Sequence, residues 1–285
     1  MTHEFEIGRT SGTPVRVGGE APLLVIAGPC VIEEPGAVLR TAETLAGVCR
    51  ALGAGFVFKS SYLKDNRTSV ESFVGPGLEA GLEILSRVRS EIGVPVLSDV
   101  HGRDEVRAAA EVLDVLQIPA FLCRQTRLVV EAAATGRCVN IKKGQFLAPE
   151  DFEHVVRKYE SAGRGGLLVT ERGTSFGYHN LVVDMRGLDI LRSFGWPVVF
   201  DVTHSLQRPG GAGSETAGER RSAPLLARAA CAAGVDALFL EAHPDPSRAR
   251  SDRQTQIPLA EVRRLLECAL EFHRLERQQR RDGHA

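Results

Sequence analysis

At 285 residues, with 43% hydrophobic and 25% charged side chains, the chain has the composition of an ordinary globular protein and enough length to bury a large core, as one large domain or two small ones. Its formal net charge of -1 gives no general field for nucleic acid or an anionic membrane surface, so neither partner is expected and any anion site must be local. No stretch approaches the ~18 consecutive apolar residues of a transmembrane helix, and the opening MTHEFEIGRT lacks the basic-then-apolar build of a signal peptide.

A cytoplasmic protein is expected. Its six cysteines (Cys30, Cys49, Cys123, Cys138, Cys231 and Cys268) are scattered without CxxC pairs and read as reduced thiols, most of them small buried hydrophobes.

Residues 4–19, EFEIGRTSGTPVRVGG, predict a β-hairpin with a Gly-rich turn. Short apolar runs then recur at nearly even intervals. They are LLVIAGPC (23–30), GFVFKSS (55–61), PVLSDVH (95–101), VLQIPAF (115–121), CVNIKKG (138–144), GLLVTERG (166–173), PVVFDVTH (197–204) and ALFLEAHP (237–244). Between most of them lie stretches with apolar residues at i, i+3 and i+4, such as PGAVLRTAETLAGVCRALGA, GLEILSRVRSEIG and DEVRAAAEVL. Near-continuous apolar strands alternating with amphipathic helices mean a parallel sheet covered by helices. Eight such units in about this length fit an α/β protein of the (β/α)8 TIM-barrel class, for which ~250 residues is typical; a doubly wound open sheet is the alternative.

No linker divides the chain, so residues 1–285 read as a single barrel domain. The stretches SLQRPGGAGSETAGERRSA and DPSRARSDRQTQIP are long and rich in Gly, Pro, Ser and Arg, which suits mobile loops over a site. The charged tail 271–285, EFHRLERQQRRDGHA, is expected to fray into solvent.

Barrel enzymes carry their chemistry at the carboxyl ends of the strands. Here those ends supply Cys30, Lys59, Asp99 with His101, Gln117, Lys142 with Lys143, Glu171 with Arg172, His204, and Glu241 with His243. A single polar mouth is the economical reading. One set within it is cationic: Lys59, Lys64, Arg67, Arg124, Lys142 and Arg172, residue types that hold phosphate and carboxylate. Lys64 or Arg67 alone could equally be solvating a loop; as a set they predict a phosphorylated ligand. A second set is Cys30, His204, Glu241 and Asp252. Each has an ordinary structural alternative: a packed thiol, a hydrogen-bonded core histidine, a lysine-paired carboxylate and a solvated loop carboxylate. No local ligand spacing joins them, so pattern alone does not define a metal site.

The stretches IAGPCVIE, FKSSYLKDNRTS, LSDVH, LQIPAFLCRQT, NIKKGQFLAP, ERGTSFGYHNLVVDMR, FDVTHSLQRPGG and FLEAHPDP, in order from about residue 23 to 260, together resemble the 3-deoxy-D-manno-octulosonate 8-phosphate synthase family. The resemblance implies a (β/α)8 barrel, usually a homotetramer, that condenses phosphoenolpyruvate with arabinose 5-phosphate and releases inorganic phosphate on the route to bacterial lipopolysaccharide. Related barrels make 3-deoxy-D-arabino-heptulosonate 7-phosphate or sialic acid. KDNRTS is similar to the octulosonate pattern Lys-Ala-Asn-Arg-Ser-Ser, and Asn66 separates it from the heptulosonate Lys-Pro-Arg-Thr-Ser.

By this resemblance Lys59, Lys64, Lys142, Arg172 and His204 face phosphoenolpyruvate. Asn66, Arg67 and Thr68 take arabinose 5-phosphate, Asp99 and Gln117 join the substrate pocket, and Arg124 reaches a neighbouring subunit's site. His204, Lys59, Lys64 and Asp252 form the catalytic group. Cys30 implies the metal-dependent branch, with His204, Glu241 and Asp252 as co-ligands for a divalent ion: zinc, iron, manganese or cobalt.

Three departures from the family pattern are Arg127, Arg208 and Arg253. Arg253 stands where glycine is usual; the loss of glycine restricts the loop backbone, and the sequence leaves open whether the guanidinium draws the Asp252 carboxylate away from the metal. A non-catalytic phosphosugar-binding barrel is the competing reading from another class, disfavoured because a binder needs no thiol, imidazole and carboxylate set.

Overall fold

The computed structural model describes residues 1–8, 12–67, 69–175, 179–212 and 215–283. An antiparallel hairpin of β1 (Phe5–Ile7) and β2 (Val15–Val17) leads into eight parallel strands: β3 (Leu24–Gly28), β4 (Gly55–Lys59), β5 (Val96–Asp99), β6 (Val115–Ile118), β7 (Cys138–Lys142), β8 (Leu167–Glu171), β9 (Val198–Asp201) and β12 (Ala237–His243). Between the last two lies a second hairpin, β10 (Gln207–Ala212) with β11 (Glu215–Gly218). A two-residue strand, β13 (Ile257–Pro258), pairs with the end of β12. Pairing of β12 with both β9 and β3 closes the sheet into a barrel, so the open-sheet alternative is excluded.

The helices are α1 (Pro35–Leu52), α2 (Leu78–Arg87), α3 (Arg103–Val112), α4 (Thr126–Ala134), α5 (Glu153–Glu160), α6 (Arg186–Arg192), α7 (Ala223–Ala232) and α8 (Leu259–Arg281). Their boundaries follow local chemistry. At the start of α1 the Glu34 carboxylate accepts from the N–H groups of Gly36 (2.7 Å) and Ala37 (2.5 Å), Pro35 supplies a pre-set first turn, and Gly53 ends the helix in the left-handed conformation.

Two buried layers make the core. The outer one joins strand residues such as Val25, Phe56, Phe58, Val96 and Leu116 to the helices. The inner one fills the barrel with Leu24, Ile26, Val57, Leu97, Val115, Leu168, Val199 and Phe239, and the hairpin seals its lower end with Ile7 and Val17.

Alternate residues of a strand share a face, and this parity places the polar ends inside. Two residues beyond inner Val57 comes Lys59; likewise Leu97 leads to Asp99, Val115 to Gln117, Val199 to Asp201 and Phe239 to Glu241. At Gly28 the same face carries no side chain, because a Cβ there would meet the Lys59 carbonyl oxygen at 1.9 Å.

Two sequence expectations change. The stretch after β9, read from the sequence as a loop, contains the paired strands of the β10–β11 hairpin. The tail does not fray at Glu271, since α8 continues to Arg281 with His273, Glu276 and Arg277 buried. Its inward stripe keeps helical spacing while changing from apolar to polar, and the polar members find partners. Arg277 Nη2 donates to Asp236 Oδ1 at 3.3 Å and Nη1 donates to the Gly19 carbonyl. All six cysteines are free, and five are buried.

Candidate active site

At the carboxyl ends of the strands the barrel opens into a cavity of about 680 Å3. Its walls include Lys59, Lys64, Asn66, Arg67, Asp99, Gln117, Lys142, Arg172, His204, Glu241 and Asp252. Of the remaining predicted site residues, Cys30 lies fully buried against Lys64 and Asp252, Arg124 is exposed and does not line this cavity, and Thr68 lies outside the described residues. Lys143 and Glu171 face each other at 3.5 Å away from the cavity. Lys143 binds the Gly144 and Leu147 carbonyls, and Glu171 accepts from the N–H groups of Arg172 and Gly173, so both hold loops.

Lys59 Nζ, on β4, donates to the Cys30 carbonyl at 2.7 Å and pairs with Glu241 Oε1 at 3.2 Å. The lysine-paired reading of Glu241 therefore holds for one of its oxygens. The other, Oε2, is buried without a hydrogen-bond partner. Lys142 Nζ lies 2.5 Å from Asp201 Oδ2 and 3.5 Å from the centre of the Phe239 ring. Asp201 also fixes His204, whose Nδ1 is 2.8 Å from Oδ2, leaving Nε2 at 3.4 Å from Glu241 Oε1. Arg172 Nη2 donates to Gln207 Oε1 at 2.8 Å, while its Nη1 is buried and unpartnered.

Cys30 Sγ, Glu241 and Asp252 each offer a ligand atom, all within 4.8 Å of one another. A thiol and two carboxylates, one of them with an unpartnered oxygen, are donors that suit a divalent cation, so the residues fit a metal ion. His204 stands outside this cluster and touches it only through Glu241. Lys64 Nζ donates to Cys30 Sγ at 2.6 Å and pairs with Asp252 Oδ2. Gln207 Nε2 donates to Asp252 Oδ1 at 2.8 Å.

Arg253 does not take this carboxylate. Its Nε donates to the Ala249 carbonyl at 2.6 Å, and the left-handed residue is Asp252 itself, at φ 48. The question left open by the sequence is thus answered: Lys64, not Arg253, is the cation on Asp252. Arg208 pairs with Glu219 at 2.7 Å, and Arg127 is exposed in the first turn of α4.

The charge states follow from burial and neighbours. Burial, reinforced by Glu241, pushes the Cys30 thiol far up and outweighs the opposing ammonium groups of Lys64 and Lys59. Burial opposes the charge on Lys59, but Glu241 and Asp99 outweigh it and raise its pKa. For Lys142 burial prevails over Asp201 and Asp99, and its pKa falls. Asp252 is held well below the carboxylate range against burial, by Lys64 and then His204. Asp201, which the sequence reading did not single out, is likewise held low against burial by His204 and Lys142. Its position two residues after inner Val199 was the available signal.

A parallel eight-stranded barrel whose mouth gathers lysines and an incompletely paired arginine around a cavity is an anion-binding barrel. The chain belongs to the DAHP synthetase I family, which it matches over residues 4–276. It is 56% identical to the 2-dehydro-3-deoxyphosphooctonate aldolase of Trichlorobacter lovleyi over 266 residues, 93% of this chain and 96% of that protein. Identity to the proteins of the same name from Geobacter metallireducens and Geobacter sulfurreducens is 54% and 52%, with the same coverage. That name denotes 3-deoxy-D-manno-octulosonate 8-phosphate synthase, so the resemblance drawn from the motifs is borne out.

Proposed function

We propose that the chain condenses phosphoenolpyruvate with D-arabinose 5-phosphate and water to give 3-deoxy-D-manno-octulosonate 8-phosphate and inorganic phosphate, for the lipopolysaccharide inner core. The observation that carries this reading is the buried, unpartnered Nη1 of Arg172 in a cavity that also holds Lys59, Lys64 and Lys142. A buried guanidinium nitrogen without a partner is costly unless an anion completes it.

In this reading Lys59, Lys64, Lys142 and Arg172 hold the carboxylate and phosphate of phosphoenolpyruvate. Arg67 and Asn66, with Thr68 assigned by family resemblance, take the sugar phosphate. Neutralising both anions lets C3 of phosphoenolpyruvate approach the aldehyde carbon while water adds at C2 and phosphate leaves by C–O cleavage. Orientation is most of what the side chains supply. His204, held at Nδ1 by Asp201, keeps Nε2 toward Glu241 and the reacting end. Cys30, Glu241 and Asp252, with His204 beside them, would hold a divalent ion, which would supply Lewis acidity toward the aldehyde or the water.

Asn66 on the cavity wall favours the five-carbon sugar phosphate over the substrate of the heptulosonate enzymes. Arg124, exposed and not among the residues that line its own cavity, is proposed to complete a neighbour's site in a homotetramer. Among the described residues no helix is long and apolar enough to cross a membrane, in keeping with a proposed cytoplasmic location. Phosphate release from phosphoenolpyruvate in the presence of arabinose 5-phosphate, erythrose 4-phosphate or N-acetylmannosamine tests the reading. Release with arabinose 5-phosphate is expected; none with it, or faster release with either of the others, overturns the assignment.

A further inference from the structure

We propose that Asn140, which does not border the cavity, is a positioning residue that fixes the orientation of the Gln117 carboxamide and, through it, the Asp99 carboxylate on the cavity wall. Four neighbouring strands, β5 to β8, carry one continuous row of hydrogen bonds inside the barrel. Gln117 Nε2 donates to Asp99 Oδ1 at 2.6 Å, Asn140 Nδ2 donates to Gln117 Oε1 at 2.8 Å, and Thr170 Oγ1 donates to Asn140 Oδ1 at 2.6 Å. The other Asp99 oxygen accepts from Ser61 Oγ at 2.5 Å.

The direction of the row is dictated by one charge. An ionised carboxylate only accepts, so Gln117 must present its nitrogen to Asp99 and its oxygen to Asn140. Asn140 must then present its nitrogen, which leaves its oxygen for the threonine hydroxyl. Burial opposes ionisation of Asp99, but Lys59, His101 and Lys142 hold its pKa low. Asn140 and Thr170 are both fully buried, so water cannot substitute for either partner. A donor at position 140 is therefore what prevents the Gln117 amide from turning over. If it turned, an amide oxygen would face the Asp99 carboxylate beside Lys59 and Lys142.

The test is Asn140→Asp, nearly identical in shape but unable to donate when ionised. This inference rests on the proposed activity, which the wild-type assay checks separately: an inactive wild-type enzyme refutes that activity. Phosphoenolpyruvate binding, measured by calorimetry, reads the positioning of the cavity wall without turnover. At about pH 8 the variant is expected to lose about 10- to 100-fold in phosphoenolpyruvate affinity and in kcat/KM. The loss should shrink relative to wild type as the pH falls toward about 6, because burial raises the pKa of the new carboxyl and its protonated form regains a donor. A folded variant with wild-type affinity, or with a loss independent of pH, overturns the proposal. Should the variant not fold, Thr170→Val and Thr170→Ser decide: weaker phosphoenolpyruvate binding in the first and wild-type binding in the second are expected. Wild-type binding in Thr170→Val sinks the proposal.

Discussion

Lys64 Nζ lies 2.6 Å from the sulfur of Cys30, so an ammonium contacts the thiol that also stands among the candidate metal ligands. The same ammonium pairs with Asp252. Two cations cannot share those donors without repulsion. Lys64→Met is therefore expected to bind a divalent ion at least about 10-fold more tightly while losing turnover. Competition against a chromophoric chelator measures the affinity, and unchanged or weaker binding would remove Lys64 from the metal's surroundings.

Metal removal gives the second prediction. Prolonged chelation should abolish phosphate release, and zinc, iron, manganese or cobalt should restore it, if Cys30, Glu241 and Asp252 hold the proposed cation between them. Cys30→Asn is expected to lose tight metal binding but to keep some chelator-resistant activity. Cys30→Ala, with neither thiolate nor amide, should be nearly inactive. Metal content and phosphate release are measured together, and full activity after verified metal loss would count against the site.

Arg67 and Arg124 are separable. Arg67 Nη1 donates to Ser251 Oγ at 2.7 Å and its Nε is buried without a partner, so it is held at the cavity wall with bonding capacity to spare. Replacing either arginine with alanine should remove a charge-assisted contact of roughly 1.5–3 kcal/mol, raising the KM for arabinose 5-phosphate by about 10- to 100-fold. The KM for phosphoenolpyruvate should move much less. Only Arg124→Ala should regain activity in mixed oligomers with an inactive partner such as Arg172→Ala; no complementation would mean that Arg124 serves its own chain.

Arg172→Ala should weaken phosphoenolpyruvate binding by at least about 10-fold, through loss of the unpartnered Nη1. Arg172→Lys should recover little, because one ammonium cannot both hold Gln207 and meet the ligand in a fork. Calorimetric titration distinguishes the variants, and full rescue by lysine would mean that charge alone matters.

Far from the mouth, burial and then Arg277 push the pKa of His273 down from 6.5 to about 4. The unfolded chain therefore binds the extra proton first as the pH falls. Stability from this residue is complete above about pH 6.5 and is lost progressively toward pH 4. Between about pH 8 and pH 5 the loss is about 2 kcal/mol. His273→Gln keeps an acceptor for Arg277 but has no such titration, so its urea midpoint should fall less over that interval. Parallel falls in the two proteins would show that His273 titrates normally.

Local pattern determined much of this protein. Strand and helix are dictated by neighbours within a few residues, so the eight apolar runs and their helical intervals are legible in the sequence. The collection of polar residues at the strand ends follows too, because side chains of a strand alternate and the last inner apolar residue of most strands is followed two places later by a polar one. α8 marks where that logic ends: its last turns look like a solvated tail because the groups that receive Arg277, Asp236 and the Gly19 carbonyl, lie 41 and 258 residues away in sequence.

Only the closed barrel decided which polar groups meet. Lys59 finds Glu241 across 182 residues, Cys30 and Lys64 meet Asp252 across 222 and 188, and Lys142 meets Asp201 across 59. Composition alone does not distinguish Lys64 from Arg253 as the cation on Asp252. That choice depends on the direction in which the Asp252 backbone turns, at φ 48, and on the inward face of a barrel that exists only once its first and last strands have paired.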